Sequence, residues 1–180
     1  MTQIRIHGRG GQGVVTAAEL IAIAAYNEGK EAQAFPSFGV ERTGAPIEAF
    51  ARIDNKPIRT REHVYEPDIL IIQDSTLLST VDVTKGCNNK TIVIINTTKP
   101  KDKLNINLPK DNIFALNATK IALDEIGRNI VNTVILGALA RAAKIISVKS
   151  LEKAIKEKFK SKGEKIINKN INAIKKAYNL

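Results

Sequence analysis

One cysteine and two histidines are all that 180 residues offer as soft or imidazole metal ligands. An iron–sulfur cluster or a structural zinc asks for about four such groups. Cys87, His7 and His63 are therefore expected to hold no metal, and Cys87 has no disulfide partner within the chain. No stretch approaches the ~18 apolar residues of a membrane span. The chain enters an alternating strand pattern at Gln3-Ile4-Arg5-Ile6-His7, without the charged and then apolar run of a secretory signal. The expectation is a reduced, unanchored cytoplasmic protein with no membrane partner. Catalytic sets are missing as well. No serine–histidine–acid or paired-carboxylate motif emerges, and His63, Asp74 and Cys87 have no partners at catalytic spacing. No catalytic residue is assigned within this chain alone.

What is present reads as one α/β domain over residues 1–180. Short β-branched runs alternate with turn signals and helical stretches through the first two thirds of the chain. Strands are predicted at Gln3–His7, Glu31–Phe35, Ile47–Ile53, Ile69–Gln73, Thr91–Asn96 and Ile113–Leu116. Ile69–Ile72 and Ile92–Ile95 are continuously apolar, which suits central strands covered on both faces. Residues 48–53 alternate instead, and the turn Asp54-Asn55-Lys56-Pro57 predicts a hairpin into Ile58–Arg61, hence a mixed sheet with an antiparallel edge. The first helix is predicted from Val14 to Glu28, stopped by Gly29. Helices follow at Ala118–Ile126, Ile130–Ile146 and Val148–Lys160, the last capped by Ser147. A final helix carries Ile167, Ile171, Ile174 and Tyr178 on one stripe and is expected to form a semi-detached arm. The expected fold is a three-layer, Rossmann-like α/β domain with a mixed sheet and a helical C-terminal segment over about 147–180.

Charge is uneven. Residues 1–140 carry 16 basic and 15 acidic side chains, while residues 141–180 carry 12 basic and 3 acidic, so nearly all of the net +10 lies at the end. Such a stripe invites a nucleic-acid reading. Only Phe159 and Tyr178 are available there as stacking platforms, and Leu151, Ile155 and Phe159 take one helix face with the lysines mainly opposite. A solvated face, or docking on an acidic partner subunit, is the better reading.

Gly8-Arg9-Gly10-Gly11-Gln12-Gly13 follows a predicted strand and opens a predicted helix. Glycines at 8, 10 and 13 have the spacing of a dinucleotide fingerprint, and the amides from Gly11 to Val14 would emerge at a helix N-terminus that favours anions. Two classes are excluded. A Walker A loop needs Lys and then Ser or Thr after its last glycine, where Val14 and Val15 stand here. A nicotinamide site expects an acid about 20 positions on, at the end of the second strand. That strand ends in Ala34, Phe35 and Pro36. Two readings stay open for Gly8 to Val14: an anion site, or glycines that let a helix or another subunit pack closely. His7, just before the loop, reads as structural. Between residues 36 and 46 a loop punctuated by Pro36, Gly39, Gly44 and Pro46 holds Phe38, Glu41, Arg42 and Thr43, candidates for an interface or a substrate path.

The run His-Gly-Arg-Gly-Gly-Gln-Gly at 7–13, the segment Phe-Pro-Ser-Phe-Gly-Val-Glu-Arg-Thr-Gly-Ala-Pro at 35–46, Asp68 through Gln73-Asp74, Asn132-Thr133 and Leu136-Gly137-Ala138 together resemble the gamma subunits of the 2-oxoacid:ferredoxin oxidoreductases, pyruvate branch. Thr43 departs from the arginine more usual there. The resemblance implies a subunit of an enzyme that converts pyruvate and coenzyme A to acetyl-CoA, carbon dioxide and reduced ferredoxin. It implies thiamine diphosphate, Mg and iron–sulfur clusters on alpha, beta and delta-type partner subunits, coenzyme A as cosubstrate and ferredoxin as electron acceptor. This chain has no Gly-Asp-Gly…Asn-Asn diphosphate motif, and Asn88-Asn89 reads as a turn. The implied role is a wall and bridging surface, with Arg9 or Arg42 as candidates for a carboxylate or phosphate and an ion pair between subunits, or Glu41 with Arg42, as the competing account. A gamma subunit of a 2-oxoisovalerate or other 2-oxoacid enzyme, and a stand-alone nucleotide-binding protein, are the alternatives.

Overall fold

Strand β1 (Thr2–Arg9) lies in the middle of the molecule because Ile4 and Ile6 are fully buried and both of its edges are paired. The computed structural model describes residues 1–37 and 43–180. After β1 come helix α1 (Val14–Tyr26), strands β2 (Glu31–Pro36) and β3 (Pro46–Asp54), then β4 (Ile69–Ile72), β5 (Ile92–Asn96) and β6 (Ile113–Leu116). Helices α2 (Ala118–Glu125), α3 (Val134–Ala143), α4 (Val148–Lys158) and α5 (Glu164–Tyr178) complete the chain. The sheet order is β2-β3-β1-β4-β5-β6. Strands β1, β4, β5 and β6 run parallel, and β3 is antiparallel to both β1 and β2.

The mixed sheet is as expected, but its antiparallel part is built differently. Residues 58–61 form no strand. Both edges of β3 are taken, by β1 and by β2, so the segment after the Asp54–Pro57 turn has no edge left to join.

The apolar runs of β4 and β5 divide by alternation. Ile69, Ile71 and Ile94 face the cluster formed with α1 to α5, whereas Leu70, Ile72, Val93 and Ile95 face a second cluster with Leu77, Val83, Leu104 and Ile106. The five helices of the described residues therefore share one face of the sheet. The third layer consists of 3-10 turns, such as Ser75–Ser79, and extended segments.

Two helical expectations are corrected. The helix predicted over 130–146 is α3 alone, since Lys144 adopts a left-handed conformation (φ 53°) and ends it. The last helix is no arm. Ile171, Ile174 and Ala177 are buried in the main core against α3, and Tyr178, predicted on the stripe, is exposed with Ala177 in its place. A 3.6-residue period turns position 178 away from a contact that 174 and 177 already fill.

Candidate functional site

The carboxyl ends of the parallel strands converge on one rim, where open α/β sheets place their ligands. There β1 supplies the glycine turn, β4 leads to Gln73 and Asp74, β5 to Asn96, and β6 to Asn117. A Cβ at Gly8 would lie 2.5 Å from Val14 Cγ2, so that glycine serves packing of helix on strand. Gly13, left-handed at φ 72°, is the N-cap of α1 and abuts Asn132, whose Nδ2 donates to Gly13 O at 3.3 Å. Gly10 is held between Ala45 O, which accepts its amide at 2.9 Å, and Gly44 N, which donates to Gly10 O at 3.1 Å.

Arg9 faces inward. Its Nε pairs with Asp74 Oδ2 at 3.1 Å, Nη1 donates to Gly44 O at 3.0 Å and Nη2 to Thr76 Oγ1 at 2.8 Å. Gln12 Nε2 donates to Asp74 Oδ2 at 3.2 Å, and Gln12 Oε1 accepts from Arg9 N at 2.8 Å. Partial burial works against the Asp74 charge, but the hydrogen bonds from Thr76 and Gln12 and the Arg9 guanidinium outweigh it, holding the carboxyl below its usual range. The polar heads of Arg9 and Gln12 are thus engaged within the chain. Asp74, which lacked any partner in sequence, has three.

Two clefts flank the turn, with Gln12 in the wall of each. The first, about 460 Å³, runs from Gly11–Gly13 and Thr16 to the α4–α5 elbow, and Arg128, Lys162, Lys165 and Lys169 stand around it with no acidic residue in its lining. Lys169 Nζ donates to Ile126 O at 3.1 Å, while Arg128, Lys162 and Lys165 form no ion pair among the described residues. Helix α1 has no side-chain cap and no acid in its first turn, and the amides of Gly11, Gly13 and Val14 meet no acceptor among the described residues. The glycine turn thus shares this cleft with four cationic side chains, while Ile126, Ile130, Phe159 and Ile166 supply its apolar part. The second, about 540 Å³, is lined by amides and hydroxyls, including Gln73, Asn96, Thr97, Asn117 and Thr119. Gln73 is buried there with both amide atoms unpartnered among the described residues.

Of the other sequence candidates, Thr43 is exposed and forms a β-bridge with Gly10. Phe38, Glu41 and Arg42 lie outside the described residues. His7 lines neither cleft. It is buried, with Nδ1 3.5 Å from Glu48 Oε1, and burial together with the nearby Arg5 guanidinium pushes its pKa down to about 3, so the ring is neutral and the Glu48 contact is no ion pair. Sequence reasoning did not reach Gln73, Asn96 and Asn132 as site residues, nor the cleft cations. The +9 excess of the last 40 residues was the one available signal for the latter.

A dinucleotide site would set the second strand beside the first. Here antiparallel β3 stands between β1 and β2, so the end of β2, where a ribose-binding acid would sit, is not next to the glycine turn. The family model described as pyruvate ferredoxin/flavodoxin oxidoreductase matches residues 3–180. The chain belongs to this family. Among its family relatives, "Pyruvate synthase subunit PorC" of Methanosarcina barkeri is 55% identical over 87% of this chain and 85% of its own. "Pyruvate/ketoisovalerate oxidoreductases common subunit gamma" of Pyrococcus furiosus is 50% identical over 99% of this chain and 96% of its own. The crystal structure of pyruvate oxidoreductase subunit PORC from Thermotoga maritima superposes with a TM-score of 0.85 at 38% identity, covering 99% of this chain and 95% of that one.

Proposed function

We propose that this chain is the gamma-type subunit of a pyruvate:ferredoxin oxidoreductase and that its part in the reaction is to receive the phosphate end of coenzyme A. The observation that carries this reading is the first cleft, which Gly11, Gln12 and Gly13 of the glycine turn, ahead of the uncapped start of α1, line together with Arg128, Lys162 and Lys165. Coenzyme A is the polyanionic reactant of the conversion of pyruvate to acetyl-CoA, carbon dioxide and reduced ferredoxin, and fixed donors around an anion bind phosphate well.

The chain's residues do not fit the reaction's other groups. Cys87 is the single cysteine, and among the described residues no three His, Cys, Asp or Glu side chains come together to hold a metal. We assign thiamine diphosphate, Mg and iron–sulfur clusters to the alpha, beta and delta-type partner subunits, with ferredoxin meeting the complex there. We further propose the glycine turn and Thr43, with the sequence candidates Phe38, Glu41 and Arg42, as the part of the chain that meets those partners along the path of substrate and cosubstrate. Among the described residues no helix is long and apolar enough to cross a membrane; the cytoplasm is the proposed location.

A second reading concerns the oxoacid. The Pyrococcus furiosus relative is named as common to pyruvate and ketoisovalerate enzymes, which favours one gamma subunit serving two substrate-specific partners. Affinity isolation of the tagged chain from its native cells, followed by assay of pyruvate, 2-oxoisovalerate and 2-oxoglutarate, tests both readings. Pyruvate turnover dependent on coenzyme A is expected in the isolate. Recovery of the chain without thiamine and iron–sulfur subunits would overturn the assignment.

A further inference from the structure

Asp74 directly follows Gln73 at the end of β4 and accepts four hydrogen bonds. Its Oδ1 takes Thr76 N at 3.0 Å and Thr76 Oγ1 at 2.6 Å, and its Oδ2 takes Arg9 Nε at 3.1 Å and Gln12 Nε2 at 3.2 Å. All four partners are donors. An ionised carboxylate suits them, whereas an amide in its place would turn an NH2 against a donor on one side.

Two routes lead outward from this carboxylate. Through Arg9 Nη1 it reaches Gly44 O at 3.0 Å, joining β4 to the segment that already exchanges backbone bonds with Gly10. Through Gln12 it reaches the wall between the two clefts, and because Gln12 Oε1 also accepts Arg9 N at 2.8 Å, both ends of that amide are fixed. A turn with four glycines in six residues has wide conformational freedom of its own. Something must hold it if the amides of Gly11, Gly13 and Val14 are to stay aimed at one point. Neither Arg9 nor Asp74 lines the first cleft, yet both are bonded to the turn that does.

We infer that Asp74 is a positioning residue for coenzyme A binding: by fixing Arg9 and Gln12 it presets the amides of the glycine turn while standing outside the anion cleft. This rests on the reading that the first cleft receives the phosphates of coenzyme A. It makes Arg9 a strut of the turn, with Asp74 as the anchor, rather than a ligand for substrate.

The test uses the assembled enzyme with Asp74→Asn, with Gln12→Ala as the variant that removes only the divider, and with Lys162→Glu/Lys165→Glu as a control on the cleft itself. In Asp74→Asn the KM for coenzyme A is expected to rise about tenfold, with kcat and the pyruvate KM staying within roughly twofold. Gln12→Ala shifts the coenzyme A KM in the same direction, and the double variant is no worse than Asp74→Asn, since the two residues act as one unit. If the lysine reversal raises the coenzyme A KM but Asp74→Asn does not, the positioning role is overturned and the cleft reading stands. Should Asp74→Asn fail to assemble, Arg9→Ala, which removes the strut bonded to Asp74 and likewise stands outside the first cleft, decides in the same way. Equal rises in both KM values mark a merely structural role and also overturn it. An unchanged coenzyme A KM in the lysine variant removes the cleft reading itself, and the inference with it.

Discussion

Thr133 donates its hydroxyl to Asn170 Oδ1 at 2.7 Å, between the start of α3 and the middle of α5, with both residues buried. Asn132 beside it accepts Thr133 N at 2.9 Å and donates to Gly13 O. A line of hydrogen bonds thus runs from the glycine turn to the last helix. It gives the Asn132-Thr133 pair a physical role: the basic wall of the first cleft is carried on a helix tied to the turn it faces.

Thr133→Val removes the donor while leaving Asn170 Oδ1 buried. The expected loss is about 1–3 kcal/mol of stability in a urea titration of the purified chain. Thr133→Val/Asn170→Leu, which removes both polar partners, is expected to recover part of it, and a double variant less stable than the single one would contradict this account.

Gly137 lies where α3 crosses α5, and a Cβ there would come within 2.2 Å of Ile174 O. Backbone cannot yield as a side chain can. Gly137→Ala is expected to lose at least about 2 kcal/mol despite alanine's better helix propensity. A melting temperature at or above that of the wild type would refute the close contact.

Acid stability should depend on His7. Its pKa falls from the ordinary 6.5 to about 3 in the folded chain, so the unfolded state binds the proton more readily. The associated stability is complete above pH 6.5 and is lost progressively as pH falls towards 3, reaching on the order of 2 kcal/mol by pH 5. Glu28 acts lower, since hydrogen bonds from Lys30 and Ser147 overcome its desolvation and set its pKa at about 2 against 4.5. Between pH 7 and 5 the His7 contribution therefore stands apart from that of Glu28. Unfolding free energies of His7→Gln across that interval should fall less steeply than those of wild type, and parallel slopes would exclude the mechanism.

Salt should weaken the capture of coenzyme A. Lys162 and Lys165 line an open cleft that has no acidic residue in its lining, and exposed charges are screened over about 8 Å at physiological ionic strength. In the assembled enzyme the coenzyme A KM is expected to rise with added salt more steeply than the pyruvate KM, and Lys162→Glu/Lys165→Glu should flatten that difference. Identical salt dependence for both substrates would count against phosphate capture here.

Much of the architecture was readable from periodicity. The runs at Ile69–Ile72 and Ile92–Ile95 are buried central strands, Ser147 caps α4 by accepting Ser150 N, and the glycine turn links β1 to α1. The failure at 58–61 has a plain cause, since a strand needs a free edge as well as a suitable sequence. The site was less legible. Arg9 and Asp74 are 65 positions apart, and no local pattern tells a buried strut from a free guanidinium.

From its order of residues alone this protein could settle its class: which segments alternate, which stretches are helical, and where the glycine turn falls between strand and helix. These are local properties, dictated by side-chain chemistry and backbone period. Only the folded chain decided that Arg128, Lys162 and Lys165 line one cleft with Gly11 and Gly13, and that Arg9 pairs with Asp74 outside it. Electrostatic fields depend on distance in space, and the sheet order that brings those groups together is set by competition among strands for edges.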